Sequence, residues 1–519
     1  DRTMLFTVPL APDEECVLVW RVDCRREGPS GGGAAGRTAV RRSRGRAPFG
    51  ASPRLRSSSD GFERWLRRSA ADLGMMMTRT GWGFYPYAGV PWFSAPFGRD
   101  GIVSALEVLW LDPAPARGVL RFLAAHQARS VDAFRDAEPG KILHEARDGE
   151  MANLGEVPFG RYYGSVDATP LFVLLAGAYF QRTGDLALVR EIWEHVERAL
   201  DWIDREGDAD GDGFLEYSAR SGRGLVNQGW KDSWNAIFHE DGSLAEGPIA
   251  LCEVQGYVFA ARRAAAAMAD ALGHADLAAR QLEKADALRQ AFDQRFWNEA
   301  AGTYAIALDG RKAPCRVRTS NAGQALFGGI VPPEKARRLA RTLLERDSFS
   351  GWGIRTLASG QSRYNPMSYH NGSVWPHDNA LVAAGFGRYG LREEASRVLH
   401  AFFDLAQAVE AERLPELVCG FDRRGGEGPT YYPMACSPQA WASGAVFLMI
   451  AACLGVHVSA RHRRVVFDRP TLPPVLDTLE IQGLSVGGAE VDLRLRRSGR
   501  DVGVEVLRRS GRISVETLG

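Results

Sequence analysis

The feature that most constrains this 519-residue chain is a helical apolar period that recurs from residue 60 to residue 454. Apolar residues return at three- and four-residue steps in twelve stretches: 61–77, 99–110, 113–128, 167–183, 186–205, 248–272, 274–296, 319–328, 332–346, 377–389, 391–408 and 438–454. Pro113 and Pro115 sit at the start of the third and Pro332-Pro333 at the start of the ninth, where a missing N–H is harmless. The connections alternate in character. Leu111-Asp112 and Gly390 are tight, whereas 78–98, 129–166, 206–247, 297–318, 347–376 and 409–437 are long and aperiodic. Long loops of this kind inside a folded domain are usually functional. Six of them beside six helix pairs predict a mainly α fold, an (α/α)6 toroid of six helical hairpins whose long loops share one face. A superhelical stack of helix pairs is the alternative, but no repeat of fixed length is present.

Either side of the helical region, 60–455, the pattern changes to strands. Residues 1–27 alternate as Cys16-Val17-Leu18-Val19-Trp20 and are expected to be the remnant of an N-terminal β-domain. Residues 28–59 are rich in Gly, Arg, Ser and Pro and predict a flexible linker, with a basic arm as the alternative. Residues 456–519 carry short β-branched runs between turns and predict a small antiparallel C-terminal β-unit. The chain starts at Asp1 without an initiator Met, which suggests a fragment or processed piece.

Charge and cysteine usage exclude several classes. With 64 basic and 63 acidic residues the net charge is +1, so neither nucleic acid nor an anionic membrane surface is an expected partner. The longest apolar run, Ala445 to Leu454, is too short to span a bilayer. Seven cysteines, odd in number and without C-x-x-C spacing, argue against disulfides and zinc and for a reducing, cytoplasmic setting. No cofactor is expected. Asp208-Ala209-Asp210-Gly211-Asp212 superficially resembles a calcium loop, but Ala219 stands where the twelfth-position Glu belongs, so no metal is expected there.

The long loops hold the candidate chemistry. Asp232 lies between Trp230 and Trp234 in Gly229-Trp230-Lys231-Asp232-Ser233-Trp234. A carboxyl wrapped in aromatic carbon keeps its proton toward neutral pH, as a general acid must, although an Asp wedged at the surface by aromatics is the plainer alternative. Glu416, in Leu414-Pro415-Glu416-Leu417, is a poor surface residue in so apolar a setting. It is either paired in the core or a working carboxylate, and we read it as the latter. Arg99 and Asp100 stand at a helix start beside Trp92 and Phe97, either as ordinary capping or as a fork aimed at sugar hydroxyls. Asp167 caps a helix, lines a pocket, or does both. His144 and Glu145 either face a ligand or belong to a solvated turn around Pro139-Gly140, and we read them as the turn. Tyr369 to Asn379, with Trp375 and His377, suits hydroxyl binding better than metal ligation. Gln439 and Trp441 follow the last long loop. The thirteen Trp, many beside Gly or Pro, suit platforms for sugar rings.

Tyr85-Pro86-Tyr87-Ala88-Gly89-Val90-Pro91-Trp92-Phe93, Phe97-Gly98-Arg99-Asp100-Gly101, Tyr163-Gly164-Ser165-Val166-Asp167-Ala168, Trp230-Lys231-Asp232-Ser233-Trp234, His370-Asn371-Gly372-Ser373-Val374-Trp375-Pro376-His377 and Leu414-Pro415-Glu416-Leu417 together resemble the bacterial amylo-α-1,6-glucosidase family, the glucosidase part of glycogen debranching enzymes. The resemblance covers residues 60–455 and implies an (α/α)6 glycoside hydrolase domain. It implies Asp232 as general acid, Glu416 as general base, and Arg99 with Asp100 on glucose hydroxyls. Trp92, Phe97, Asp167, Trp230, Lys231, Trp234, Trp375, His377, Gln439 and Trp441 complete the candidate substrate-binding set. The implied activity is inverting release of glucose from α-1,6 branch points, with an α-glucan or oligosaccharide as partner. Inversion calls for a carboxylate gap of roughly 6.5–9.5 Å. No glucanotransferase domain is recognisable, which leaves two alternatives: a glycosidase for a small solute such as glucosylglycerate or mannosylglycerate, and a catalytically silent glucan-binding protein.

Overall fold

Ser59 opens the helical region. Its hydroxyl accepts from the Phe62 N–H at 3.4 Å, and Asp60 and Glu63 lie in the first turn, where the helix dipole favours acids. The structure is a computed structural model and describes residues 54–499 and 501–519. The chain divides into two units, Asp1–Gly45 and Arg46–Gly519, and the described residues all belong to the second. The expected β-remnant over 1–27 and the linker as far as residue 53 lie outside the described residues.

All twelve predicted helices form, joined by one further short α-helix, α4 (Glu150–Asn153), and three 3-10 turns. They are α1 (Asp60–Met76), α2 (Gly98–Val108), α3 (Ala114–Ala125), α5 (Ala168–Thr183), α6 (Leu186–Asp204), α7 (Cys252–Leu272), α8 (Ala275–Phe296), α9 (Asn321–Gly328), α10 (Pro333–Leu343), α11 (Pro376–Arg388), α12 (Arg392–Ala408) and α13 (Ala440–Leu454). Composition sorts them into two layers. α13 has no charged residue and α5 only one, and both are buried almost all round, as a helix in the interior must be. α6 and α10 bury one face and leave their charges in water. The interior helices pack in a cycle: α2 on α5, α5 on α7, α7 on α9, α9 on α11, α11 on α13, and α13 back on α2. Close approach needs small residues. A Cβ on Gly328 would meet the Gly256 carbonyl oxygen at 2.3 Å, so α7 and α9 touch through glycine.

The expectation of a mainly α toroid with β-structure only at its ends is corrected. The described chain holds fourteen strands in five sheets and is a mixed α and β fold. β2 (Met77–Thr80) pairs with β3 (Gly83–Pro86), β4 (Ala250–Leu251) joins β7 (Ala307–Leu308) and β8 (Pro314–Cys315), and β5 (Trp297–Asn298) pairs with β6 (Thr303–Tyr304). These ribbons arise because long loops lying over helix ends must still satisfy their backbone N–H and C=O groups. Two-residue ladders are too short to leave an alternation in the sequence.

The C-terminal part holds two sheets. β9 (Val456–Ser459), β10 (Arg464–Asp468) and β14 (Ser514–Leu518) form one sheet, in which β10 and β14 run parallel. β11 (Thr478–Val486), β12 (Ala489–Ser498) and β13 (Asp501–Ser510) form a second, antiparallel sheet, and β1 (Arg54–Ser57) adds to its edge with Leu55 opposite Ile481. Part of the stretch read as linker is therefore a strand. In β11 the buried positions shift from Leu479 and Ile481 to Leu484 and Val486. A bulge at Gly483, φ +72°, supplies the extra residue that moves the side-chain parity. Among the described residues no helix is long and apolar enough to cross a membrane.

Candidate active site

The first turn of α2 brings Arg99 and Asp100 into the interior. Gly98 makes this possible: its N–H donates to the His144 carbonyl at 2.7 Å, and a Cβ there would meet the Leu143 oxygen at 1.9 Å. Arg99 donates through Nη1 to Asp167 Oδ2 at 3.1 Å and through Nη2 to Asp232 Oδ2 at 3.4 Å. Asp167 makes no side-chain cap to α5. It instead holds this guanidinium and accepts from Ser165 Oγ.

Asp232 sits on a loop anchored at both sides. Lys231 is buried and donates from Nζ to the Thr356 carbonyl at 2.5 Å. Asn227 Nδ2 donates to the Ser233 carbonyl at 2.7 Å, and the Ser233 N–H points to His370 Nδ1 at 3.3 Å. A ring nitrogen that accepts carries no proton, so the neutral His370 keeps its hydrogen on Nε2. Burial, opposed by Arg99, pushes the Asp232 carboxyl up to about 6. About a quarter of its side-chain surface remains open (27%).

Glu416 comes from the last long loop, between the buried Leu414 and Leu417. Its Oε1 accepts from the Tyr369 hydroxyl at 2.7 Å and its Oε2 from the Cys436 N–H at 3.0 Å. Burial pushes it up to about 7, against these two hydrogen bonds and with help from the charge of Asp232. Asp100 is likewise raised to about 7, by burial first, with Arg99 opposing and Glu416 and Asp232 adding to it. Burial thus raises all three carboxyls toward neutral pH, and their mutual charge adds to it.

They line a cavity of about 260 Å³, together with Phe97, Arg99, Trp230, Trp375, Gln439 and Trp441 of the expected set. Gln439 Nε2 donates to Asp100 Oδ1 at 3.4 Å. Three expected residues stand behind the wall. Asp167 is buried beneath Arg99, Lys231 beneath the loop, and His377 stacks on Trp441 at 3.6 Å. Trp92 and Trp234 are 51% and 64% exposed and do not line the cavity. Of the two indoles flanking Asp232, Trp230 turns in and Trp234 turns out.

Sequence reasoning missed Phe93, Arg147, Phe159 and Leu225 as cavity residues and gave His144 and Glu145 to a solvated turn. Both of these are buried. Their backbone explains why: Glu145 bridges to both Phe97 and Tyr162, which folds the 129–166 loop inward over α2. Glu145 accepts from Arg147 Nε, and Arg147 lies over the rings of Phe159, Phe97 and Phe93 at 5.5, 5.7 and 6.0 Å. No sequence signal marks Arg147, because the rings around it come from positions 93, 97 and 159.

In the Asp-rich loop, Lys312 Nζ reaches Asp212 at 2.9 Å and Asp210 at 3.0 Å, and also bonds Glu216. An ammonium stands among the carboxylates that could have held a cation. A larger groove of about 820 Å³ beside α12 is rimmed by arginines, and its Asp404 and Asp422 are ion-paired.

Residues 97–431, more than half of the chain, match the family model described as the mannosylglycerate hydrolase MGH1-like glycoside hydrolase domain, rather than the amylo-α-1,6-glucosidases that the motifs resemble. The mannosylglycerate hydrolases MGH1 and MGH2 of Selaginella moellendorffii are each 31% identical over 153 residues, which is 29% of this chain and 30% of theirs. The chain thus spans under a third of the length of these curated relatives. Among solved structures, the GH78 rhamnosidase of Bacillus sp. GL1 superposes with a TM-score of 0.64 at 14% identity, covering 91% of this chain and 43% of that one. A GH63 mannosylglycerate hydrolase from Thermus thermophilus, in complex with Tris and D-glycerate, gives 0.54 at 15% identity, covering 74% and 99%. At these identities the likeness is one of fold.

Proposed function

Because the chain belongs to the MGH1-like glycoside hydrolase family, we propose that it hydrolyses a small α-glycoside with an acidic aglycone, mannosylglycerate or a close analogue such as glucosylglycerate. The observation that carries this reading is the size of the cavity holding both carboxyls. About 260 Å³ falls below the roughly 300–1,000 Å³ of common ligand pockets and suits one sugar with a small substituent.

Asp232 donates its proton to the glycosidic oxygen as the C–O bond breaks. Glu416 takes a proton from the water that attacks the anomeric carbon, and hexose and glycerate leave. Arg99 and Asp100 hold sugar hydroxyls, and Trp230, Trp375 and Trp441 present apolar carbon to the ring. Tyr369 and the Cys436 N–H favour the ionised form of Glu416, as a base requires. Arg99 favours the ionised form of Asp232, so the donor works against this pairing until the leaving oxygen competes for its proton.

The test is to incubate the protein with mannosylglycerate, glucosylglycerate, isomaltose and limit dextrin and to follow the released sugar by NMR. Hexose of inverted anomeric configuration from a glycosylglycerate is expected. Glucose from limit dextrin alone would return the reading to debranching, and no sugar from any of them would favour a binding protein.

A further inference from the structure

We propose that Arg147 selects the acidic aglycone, gripping its carboxylate through Nη1 and Nη2 at the aromatic side of the cavity. This inference rests on the reading above and names the residue that would make it specific. Two arginines line the cavity among the described residues. Arg99 is tied to the side that holds the carboxyls: its side chain is 6% exposed, and its Nη1 and Nη2 already donate to Asp167 and Asp232. Arg147 is not. Its side chain is 39% exposed, its Nε is taken by Glu145, and no hydrogen bond among the described residues engages Nη1 or Nη2.

The free edge has the right shape. A guanidinium is a planar fork, and with Nε occupied its two outer nitrogens present parallel N–H groups spaced for two carboxylate oxygens. The fork is also held in place. Three phenyl rings surround it, and the Arg147 N–H donates to the Phe159 carbonyl at 2.8 Å. The rings replace part of the water around the guanidinium, which strengthens a charged pair. A second sugar would need several hydrogen-bonding partners here, yet beyond Glu145, which is taken up by Arg147 Nε, the groups around the guanidinium are the rings of Phe93, Phe97 and Phe159. A short acid needs one cation and little else.

The experiment compares steady-state hydrolysis of mannosylglycerate with that of its uncharged analogue mannosylglycerol, for wild type, Arg147→Gln and Arg147→Lys. We expect Arg147→Gln to raise KM for mannosylglycerate roughly 10- to 100-fold, the scale of a lost charge-assisted bidentate contact, with a much smaller effect on kcat. Its loss on mannosylglycerol should be at least tenfold smaller, and Lys should restore part of the preference. Equal losses on the two substrates, or unchanged KM for mannosylglycerate, would overturn the role of Arg147 while wild-type turnover left the proposed activity standing. A wild type that prefers mannosylglycerol, or cleaves only glucans, would overturn both.

Discussion

The charged and aromatic sides of one cavity are built by different means. On the charged side each group is tied to several others. Glu416 is fixed by a hydroxyl and a backbone N–H, and Asp232 by Arg99, which is itself fixed by Asp167. On the aromatic side Phe93, Phe97 and Phe159 pack around one guanidinium whose outer nitrogens are uncommitted. The first arrangement suits bond breaking, where a misplaced group is costly. The second suits choosing what hangs from the bond, and it stands largely on loop residues, which can change without disturbing the helices.

Breaking the charged side should cost most. Asp232→Asn and Glu416→Gln should each lower kcat by roughly 10²–10⁴-fold, the range of general acid–base catalysis, with little change in melting temperature. A variant that keeps full turnover would remove its residue from the proposed chemistry. Tyr369→Phe tests one tie. Hydrogen bonds to charged groups are worth about 1.5–3 kcal/mol, so Glu416 should become harder to ionise by roughly one to two pH units. The alkaline limb of the rate profile should then move up, and kcat should fall roughly 10- to 100-fold because the proton rests more often on the wrong partner.

The wild-type profile should itself be a narrow bell. Below about 6 both carboxyls hold protons and Glu416 cannot accept one; above about 7 both are ionised and Asp232 has none to give. These limits belong to the pair rather than to either residue. A rate flat from pH 5 to 9 would contradict the arrangement. The smallest effect should come from outside the cavity: Trp92→Ala and Trp234→Ala should change kcat/KM on a small glycoside by less than about threefold, since both indoles are mostly in water. A large loss with either would mean that the substrate reaches beyond the cavity.

This contrast also explains what the sequence disclosed. Asp232 and Glu416 were legible because each is an acid in apolar surroundings, which leaves few structural uses for it. Trp230 and Trp234 were not separable, since four residues of aperiodic loop give no face to compare. Arg147 and Phe159 were hidden for the same reason, inside a 38-residue connection with no period. Motifs on the charged side serve several glycosidase specificities, so they pointed to amylo-α-1,6-glucosidases while the family match is to MGH1-like hydrolases. Helix positions were readable from local period. The pairing of β1 with β11 was not, because it joins residues more than 400 positions apart.

Lys312 has a consequence for handling the protein. The positive charge that pairs with Asp210, Asp212 and Glu216 is attached to the polypeptide. The segment it braces leads through Tyr217, whose hydroxyl donates to Asn227, to the stretch carrying Asp232. A brace of this kind travels with the chain and is present in every molecule as soon as the chain has folded.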